Sequence, residues 1–275
     1  MLELPEANVL AMQLKSTLVG KTITNAQANA HPHGFAWYSG NPAHYGELLN
    51  GKKVTDTDSY GGMADILAGD MRLSFMDGTN VRYLAGGAKR PAKHQLLMEF
   101  EDGDALYCTI QMYGGIFAFP DGLKDDSHYK AAKEKPSPLS DEFNEEYFNS
   151  LFSEDKAMSL SAKAFLATKQ RIPGLGNGVL QDILFNANIH PKRKLSTFDD
   201  GDMGRLFTSI KTTLAQMCTL GGRDTEKDFF GNKGDYKTIL SKNTLPHPCR
   251  ICGSGLIRQA YLGGNIYFCP SCQPL

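Results

Sequence analysis

Four cysteines near the end of the chain constrain its fold more than any other feature. They form two Cys-x-x-Cys pairs, Cys249 with Cys252 and Cys269 with Cys272, separated by sixteen residues. Two such pairs at this separation are the ligand set of a tetrahedral metal ribbon, in which one tight turn supplies each pair. The pattern therefore predicts a structural Zn2+ ion bound by these four side chains.

The residues between the two pairs predict a β-hairpin. Residues 256–261 and 265–268 read as two short strands, with Gly263 and Gly264 at the turn between them. Two disulfides or four unrelated thiols are the alternatives. No secretory signal marks the start of the chain, so an oxidising compartment is not expected. A ribbon of this kind is usually structural, so the metal alone does not name a function.

Charge is unevenly distributed along a chain whose formal net charge is only −1. Residues 163–194 carry six basic residues and one acid, and residues 242–275 carry three basic residues and no acid. Residues 99–155 carry fourteen acids and four lysines. A local phosphate-binding surface requires such segregation, but charged faces that meet only solvent give the same pattern.

Length and composition indicate a globular protein outside the membrane. The 275 residues are 41% hydrophobic, which is enough for two modest cores or one large core. No run approaches the ~20 apolar residues of a membrane-spanning helix. We therefore expect a monomer that is cytoplasmic or nucleoid-associated, is not secreted and does not enter membranes.

Strands dominate the first half of the chain after one helix. Apolar residues at helical spacing predict that helix over residues 7–18. Turn signals at Asp77-Gly78 and Asp102-Gly103 each lie between two apolar runs of strand-forming residues. Both signals predict a β-hairpin.

The second half of the chain is predicted to be helical. A charged stretch broken by Pro136 and Pro138 precedes it and is the best linker candidate. Helices are expected at residues 143–152, 161–169, 177–187 and 203–218. The predicted domains are a β-rich domain at 1–130, a linker at 131–140, a helical domain at 141–240 and a zinc finger at 241–275.

A glycine-rich turn joins two of the predicted helices. Gly174 and Gly176 permit a tight backbone turn, and Asn177 either caps the next helix or points its amide outward. Backbone N–H groups at a helix start, beside Lys163, form a ready phosphate site. Taken alone, such a segment is usually just a turn.

This turn and its neighbours resemble the helix–two-turn–helix core of the Fpg/Nei DNA glycosylases, enzymes that remove damaged bases. The matching segments are Lys163-x-x-Leu166, Pro173-Gly-Leu-Gly-Asn177, Asp182-Ile-Leu-Phe185 and Ile189-His-Pro191.

Segments at both ends extend the resemblance to nearly the whole chain. The family closes its zinc hairpin on Cys-Pro-x-Cys-Gln, which is similar to Cys269-Pro-Ser-Cys-Gln273. Glu3-Leu-Pro-Glu6 matches the N-terminal signature, and Gly221-Gly222 resembles the start of a glycine-rich loop.

The resemblance implies an α+β fold and a DNA partner. The fold is an N-terminal β-sandwich with flanking helices, followed by a helix–two-turn–helix domain that ends in a zinc-ribbon β-hairpin. The partner is double-stranded DNA containing a damaged base, which is flipped out of the helix before its N-glycosidic bond is cleaved.

Four residues are expected to contact that DNA. Lys163 and Asn177 match family positions that grip the backbone beside the lesion, and Arg258 would touch phosphate from the hairpin. Tyr113 would stack into the gap left by the flipped base. The structural alternatives are a solvated lysine, a helix cap, an exposed arginine without a ligand and a buried strand aromatic.

Leu2 departs from the family pattern. Family members carry proline after the initiator methionine, and its exposed amine attacks the sugar C1′ to form an imine that permits strand cleavage. Leucine is bulky, so removal of the methionine is expected to be inefficient, and Met1 would then supply the free amine. That amine is displaced by one residue, and positioning errors of ~1 Å can cost ~100-fold in rate.

Three further family positions carry other residues. No lysine is found near residues 69–71, where the family has a basic residue, and Arg72 is the nearest substitute. Gln111-Met112 replaces an arginine pair, and Gly264-Asn265 replaces the arginine of the hairpin turn. These losses argue against a standard 8-oxoguanine specificity and favour an alkylated or deaminated purine.

Glu3 is retained and is the candidate catalytic carboxylate. Loss of a base leaves positive charge on the sugar, which a carboxylate stabilises, or the carboxylate activates a water molecule. The alternative for Glu3 is a helix-capping role. The sequence therefore favours a glycosylase that uses Glu3 and water, with weak or absent AP-lyase activity. A bifunctional glycosylase/AP lyase that uses the Met1 amine and a non-catalytic lesion-binding protein are the alternatives.

Overall fold

The computed structural model describes residues 2–123, 126–154 and 156–275. They form two compact units. Unit 1 comprises the described part of Met1–Lys133 together with Gly221–Asp235, and unit 2 comprises that of Glu134–Leu220 together with Tyr236–Leu275. Residues 221–235, which were predicted to belong to the helical domain, thus fold with the N-terminal part of the chain.

Unit 1 begins with a helix and continues in strands. Helix α1 covers Leu4–Leu18 and carries Pro5 in its first turn, where the missing N–H breaks no helical hydrogen bond. Two shorter helices are α2 (Tyr45–Leu49) and α3 (Ser127–Glu134), with a 3-10 helix at Pro42–His44. The strands are β1 (Ile23–Ala28), β2 (Ala36–Tyr38), β3 (Val54–Tyr60), β4 (Met63–Ala68), β5 (Met71–Phe75), β6 (Thr79–Leu84), β7 (Leu96–Phe100), β8 (Ala105–Ile110) and β9 (Gly114–Pro120).

The strands of unit 1 form two sheets with a shared core. One sheet has the order β1-β7-β8-β6 and the other has the order β2-β9-β5-β4-β3. Neighbouring strands are antiparallel except β2 and β9, which run parallel. Leu14 of α1, Phe75 of one sheet and Leu106 of the other belong to one cluster of buried apolar side chains. The predicted α+β class is confirmed.

One of the two predicted hairpins is wrong. Strands β7 and β8 pair across Asp102-Gly103 as predicted, but β5 and β6 flank Asp77-Gly78 and belong to different sheets. The chain passes from one sheet to the other at Gly78, where φ is +84° and a Cβ would lie 1.6 Å from the carbonyl oxygen of Tyr113. The Asp-Gly signal marks a turn with positive φ, but it does not specify which strands pair on either side.

The first residues of the predicted linker are helical. Helix α3 includes residues 131–134, and it buries Tyr129 and Ala132 against Met63 and Phe119 of the neighbouring sheet. The charged residues of this segment led to its prediction as a linker. The two buried side chains anchor it to the sheet, and this contact is not visible in the local sequence.

Unit 2 is helical and ends in a β-hairpin. Its helices are α4 (Glu145–Ser150), α5 (Ala162–Ala167), α6 (Val179–Asn186) and α7 (Asp200–Thr219), with 3-10 helices at Leu151–Ser153, Ala157–Ser159 and Leu195–Thr197. Helix α7 starts earlier than predicted, because Asp199 and Asp202 form a capping box at its N-terminus. Strands β10 (Ile257–Tyr261) and β11 (Gly264–Phe268) pair antiparallel, as predicted.

No helix is long and apolar enough to cross a membrane in the part of the chain that the structure describes.

Candidate active site and nucleic-acid interface

A buried cluster of charges lies at the start of α1 in unit 1. Glu3 and Arg223 are each 3% exposed, and a carboxylate oxygen of Glu3 lies 3.4 Å from Nη1 of Arg223. Glu6 accepts hydrogen bonds from the same guanidinium, from Nε at 2.8 Å and from Nη2 at 2.7 Å. The guanidinium therefore binds Glu6 through two parallel bonds and faces Glu3 with its remaining nitrogen.

The two carboxylates determine the charge state of the arginine. Burial alone would lower the pKa of the Arg223 guanidinium, but the charges of Glu3 and Glu6 raise it above its ordinary value. The side chain of Glu3 makes no capping hydrogen bond to α1, so the capping alternative has no support.

The loop that carries Arg223 is attached to other elements of unit 1. The amide of Gln13 on α1 donates to Asp228 at 2.9 Å and accepts from the N–H of Phe229 at 3.0 Å. On the other side, the N–H of Tyr83 on β6 donates to the carbonyl of Phe229 at 2.9 Å. Residues 221–235 are therefore held by hydrogen bonds to both α1 and β6.

A cavity opens beside this cluster, within unit 1. It encloses about 460 Å³, part of which is open to solvent. Leu2 and Glu6 line it from the start of the chain, Asn80 and Arg82 from β6, and Arg223 from the loop. The lining combines apolar side chains with a few polar groups, as in many sites that bind small ligands.

Of the first two residues, only Leu2 is described by the structure. Met1, whose amine is the alternative nucleophile, lies outside the described residues. Leu2 is 7% exposed and packs into the apolar core of unit 1. The position where the resemblance leads one to expect a proline is thus occupied by a buried aliphatic side chain.

Tyr113 lies in the turn between β8 and β9. It is 36% exposed, and its hydroxyl donates to Asp77 at 3.0 Å. Burial, together with the charge of Asp77, raises the pKa of Tyr113 to about 12, so the hydroxyl stays protonated at neutral pH. The alternative of a fully buried strand aromatic does not hold, and the stacking role stays a prediction.

The other three residues predicted to contact DNA meet at the hairpin of unit 2. Lys163 Nζ donates to the carbonyl of Tyr261 at 2.7 Å. Asn177 Nδ2 donates to the carbonyl of Asn265 at 3.0 Å, and Arg258 Nε donates to Oδ1 of that asparagine at 3.0 Å. Residues from α5, from the glycine-rich turn and from β10 are thereby brought to one place.

Neither structural alternative for Lys163 and Asn177 holds. Lys163 is 3% exposed rather than solvated, and burial lowers the pKa of its ammonium. Asn177 does not cap α6, because Gly178 occupies the N-cap position. Its Oδ1 is buried and has no hydrogen-bond partner within residues 2–123, 126–154 and 156–275.

Some of the basic side chains that the sequence suggested for a phosphate-binding surface are buried or paired with acids. Arg171 is 1% exposed and pairs with Glu154 at 2.8 Å. Arg193 donates to Asp202 at 2.9 Å. The run of basic residues over 163–194 therefore contributes less surface charge than its composition indicates.

Arg72 does not replace the basic residue that the family has near residues 69–71. It is 4% exposed and lies between three carboxylates, at 3.1 Å from Asp58, 3.0 Å from Asp65 and 2.8 Å from Asp121. Its guanidinium is therefore committed to the sheet of unit 1.

The four cysteines of the two pairs converge in unit 2. Their Sγ atoms all lie within 4.8 Å of one another, with 3.8 Å between Cys249 and Cys272 and 3.4 Å between Cys252 and Cys269. A tetrahedral zinc with Zn–S bonds of ~2.3 Å places its sulfur ligands about 3.8 Å apart. Gln273 supports the cluster, since its Oε1 accepts from the N–H of Cys269 at 3.0 Å. The geometry fits a metal ion.

Arg223 was not identified from the sequence. Its carboxylate partners lie at the opposite end of the chain, 217 positions away in the case of Glu6, and no local pattern relates such residues. The one signal near it is the preceding Gly221-Gly222 pair, which marked the loop but not the arginine.

Known proteins are similar in sequence to this chain along nearly its whole length. The family model described as the formamidopyrimidine-DNA glycosylase H2TH domain matches residues 135–228. A formamidopyrimidine-DNA glycosylase of Brevibacillus brevis is 27% identical over 282 residues, covering 98% of each chain. One of Legionella pneumophila strain Paris is 29% identical over 284 residues, covering 99% of this chain and 98% of the relative. The chain carries the H2TH domain of the formamidopyrimidine-DNA glycosylases and is similar to them along nearly its whole length.

Solved structures show the same Fpg/Nei fold. Lactococcus lactis Fpg in complex with DNA containing an abasic site has a TM-score of 0.86 at 23% identity, covering 99% of this chain and 100% of that one. The Fpg protein of Thermus thermophilus has a TM-score of 0.81 at 22% identity, covering 98% of each chain. The predicted family and fold are confirmed.

Proposed function

We propose that this protein is a DNA glycosylase that releases a damaged base from double-stranded DNA by a hydrolytic mechanism, with weak or no strand cleavage. The observation that carries the proposal is the buried carboxylate of Glu3, paired with Arg223 next to a cavity that Leu2, Glu6 and Arg223 line. Such a site supplies a negative charge where the sugar becomes positive and a pocket where the base departs.

Support for the partner and the general reaction comes from the relatives. Those from Brevibacillus brevis and Legionella pneumophila are named formamidopyrimidine-DNA glycosylases. Lactococcus lactis Fpg structures contain DNA with an abasic site or with N7-benzyl-Fapy-dG. By the same class of recognition, this protein binds a duplex and takes one damaged base into the cavity.

Glu3 acts on the sugar in this mechanism. As the N-glycosidic bond breaks, positive charge develops on the sugar, and an ionised carboxylate stabilises it or accepts a proton from the attacking water. Arg223 favours that ionised form in a buried site. Its hydrogen bonds go to Glu6, and its contact with Glu3 is longer at 3.4 Å. Arg223 is therefore a positioning residue, and the Glu3 carboxylate stays able to act on the sugar or on a water molecule.

Hydrolysis is favoured over imine chemistry because of Leu2. An imine with the sugar requires an amine at C1′, and the proline that supplies it in the family is replaced here by a leucine. The Leu2 side chain is buried in the core of unit 1, which fixes it in an apolar environment. This supports base release without the covalent intermediate that permits strand cleavage.

Contacts to the DNA backbone are assigned to the hairpin region. Lys163, Asn177 and Arg258 converge there, and helix α6 begins beside them. A Zn2+ ion on the four cysteines would hold the two ends of the hairpin together. The metal has a structural role in this proposal and takes no part in the reaction.

The proposal is tested with duplexes that each carry one damaged base. The panel includes a formamidopyrimidine, 8-oxoguanine, an alkylated purine and a deaminated purine. We expect strand breaks only after hot alkali, and no covalent adduct after borohydride reduction. Glu3→Gln should abolish base release while sparing binding to a duplex with a tetrahydrofuran abasic-site analogue, and Glu47→Gln, at an exposed glutamate on α2, should change neither.

Two outcomes contradict the proposal. Efficient borohydride trapping would favour the bifunctional mechanism, in which an amine attacks C1′. Absence of release from every lesion, together with lesion-selective binding that Glu3→Gln does not change, would identify a non-catalytic lesion-binding protein.

A further inference from the structure

Unit 1 carries an exposed apolar surface at the end where β2 pairs with β9. The exposed fraction is 63% for Phe35, 52% for Trp37, 70% for Met112 and 36% for Tyr113. These four side chains form what we call the aromatic surface. Each aromatic residue buries 150–250 Å² when packed, so a cluster left in solvent indicates a binding surface.

Backbone pairing brings the aromatic surface together. The N–H of Gly114, next to Tyr113, donates to the carbonyl of Phe35 at 3.0 Å. Trp37 is paired with Gly115 across the strands, so its neighbour there has no side chain to cover it. Strand β2 is at the edge of its sheet, which leaves the outer side of this region open.

The two central rings are held but not stacked on each other. The centroids of Trp37 and Tyr113 are 6.1 Å apart, and their planes are inclined by 45°. The bond from the Tyr113 hydroxyl to Asp77 fixes the tyrosine ring. Preorganised, tilted rings keep their faces accessible to a third flat ring.

The charge around the aromatic surface favours a nucleic acid as its occupant. Residues 29–46 contain three histidines and no acid. In residues 85–98, Lys89 and Lys93 are exposed, whereas Arg90 is paired with Glu99 at 3.0 Å. The two segments are joined where the N–H of His31 donates to the carbonyl of His94 at 3.1 Å. Exposed aromatic rings beside a basic segment are the composition of sites that stack bases and neutralise phosphates.

We propose that the aromatic surface stacks an unpaired nucleobase of a DNA strand, with Trp37 as its main stacking residue. The inference deepens the proposed function and rests on it for the DNA partner, because flipping a damaged base leaves an unpaired base in the opposite strand. Stacking uses the flat face that every base has, so no preference for one base is expected.

Fluorescence provides the first test, because Trp37 is the only tryptophan of the chain. The full-length protein is titrated with a twelve-residue single strand of thymidine and with an abasic deoxyribose-phosphate strand of the same length. We expect the first strand to quench the emission of Trp37 and the second strand to leave it unchanged.

Matched duplexes provide the second test. One carries a single tetrahydrofuran residue and therefore an unpaired base opposite it, and the other carries tetrahydrofuran at both positions and has no base there. Trp37→Ala should weaken binding to the first duplex about tenfold and leave the second unchanged, and Trp37→Phe should restore most of the loss. Met12→Ala, which removes a 65% exposed apolar side chain on α1, should change neither.

Several results would overturn the inference. These are an equal loss of affinity for both duplexes in Trp37→Ala, no binding of the thymidine strand, and binding of that strand without a change in Trp37 emission. A doubled mass of the free protein that Trp37→Ala abolishes would identify a second copy of the chain as the occupant. If no base is released but DNA binding still depends on Trp37, the glycosylase proposal is wrong and the stacking role of the aromatic surface is retained.

Discussion

Nη1 of Arg223 lies 3.4 Å from a carboxylate oxygen of Glu3, although the two residues are near opposite ends of the chain. Both are 3% exposed. A buried carboxylate without a countercharge takes up a proton, whereas one next to a cation stays ionised. The contact therefore links the loop over residues 221–235 to the group that we assign to the chemistry.

Replacing Arg223 by Gln should impair base release more than DNA binding. The variant removes the cation next to the Glu3 carboxylate. We therefore expect that, as the pH is lowered, base release is lost at a higher pH than in the wild type. Arg223→Lys keeps the charge but loses the two parallel bonds to Glu6, so it should restore part of the activity. The pH profile of single-turnover base release measures this effect.

Arg90→Gln is the matched control for that measurement. Arg90 also pairs with a glutamate in unit 1, Glu99 at 3.0 Å, but at a more exposed position. Its loss should leave the pH profile unchanged. An Arg223→Gln variant with wild-type pH dependence and uniformly reduced release would show that the arginine only stabilises the fold.

Zinc should be present at one ion per chain in freshly purified protein. Cys269 is fully buried, and Cys269→Ser should release the metal and loosen the hairpin, which weakens DNA binding while unit 1 stays folded. Cys108→Ser replaces a buried cysteine of unit 1 and should leave the zinc content unchanged. Elemental analysis checks the stoichiometry, and a metal-free wild-type protein that binds DNA normally would contradict the prediction.

Much of the architecture was predictable from local sequence. The hairpin between the two cysteine pairs, the β7–β8 hairpin and the helical second half each follow from signals within a short window. The Asp77-Gly78 turn shows the limit, because its sequence specifies a positive φ but not the sheet to which each flanking strand belongs. Sheet membership depends on which side chains share the core, and that is a property of the whole unit.

The candidate site was only partly predictable. Glu3, Lys163 and Asn177 were identified through the family resemblance, but their partners were not. Arg223 reaches Glu3 only after the chain folds, and Lys163 is buried where its ammonium donates a hydrogen bond to a carbonyl of the hairpin. Charge counts along the sequence treat every lysine and arginine as exposed, so they overestimated the basic surface of unit 2.

Acid should weaken the start of α7 through Asp202. Burial alone would raise the pKa of Asp202, but hydrogen bonds from Arg193 and from the backbone N–H of Asp199, with the charge of Arg205, lower it below its ordinary 3.8. A carboxyl whose pKa is lower in the folded protein than in the unfolded chain stabilises the fold at any pH above the unfolded pKa. That stabilisation is lost as the pH falls through the folded pKa.

Asp202→Asn should therefore reduce the free energy of unfolding by about 2 kcal/mol at neutral pH. The difference from wild type should shrink as the pH falls below 3.8. Asp200→Asn removes an exposed acid from the same helical turn and should have a smaller effect. Thermal unfolding measured from pH 7 to pH 3 checks this, and a difference that does not change with pH would rule it out.

Lys163→Ala should weaken the binding of all duplexes alike and make it less dependent on salt. A lysine that contacts one phosphate contributes about 0.9 to the slope of log K against log salt concentration, so the slope should fall by about that amount. Lys211→Ala is the matched control, because Lys211 also donates to backbone carbonyls in unit 2, those of Ser140 at 2.9 Å and Phe143 at 3.0 Å. Both variants lose a lysine–carbonyl bond, but only Lys163 lies at the hairpin with Asn177 and Arg258. Equal slopes for the two variants would show that the Lys163 ammonium only secures the hairpin and does not bind the DNA backbone.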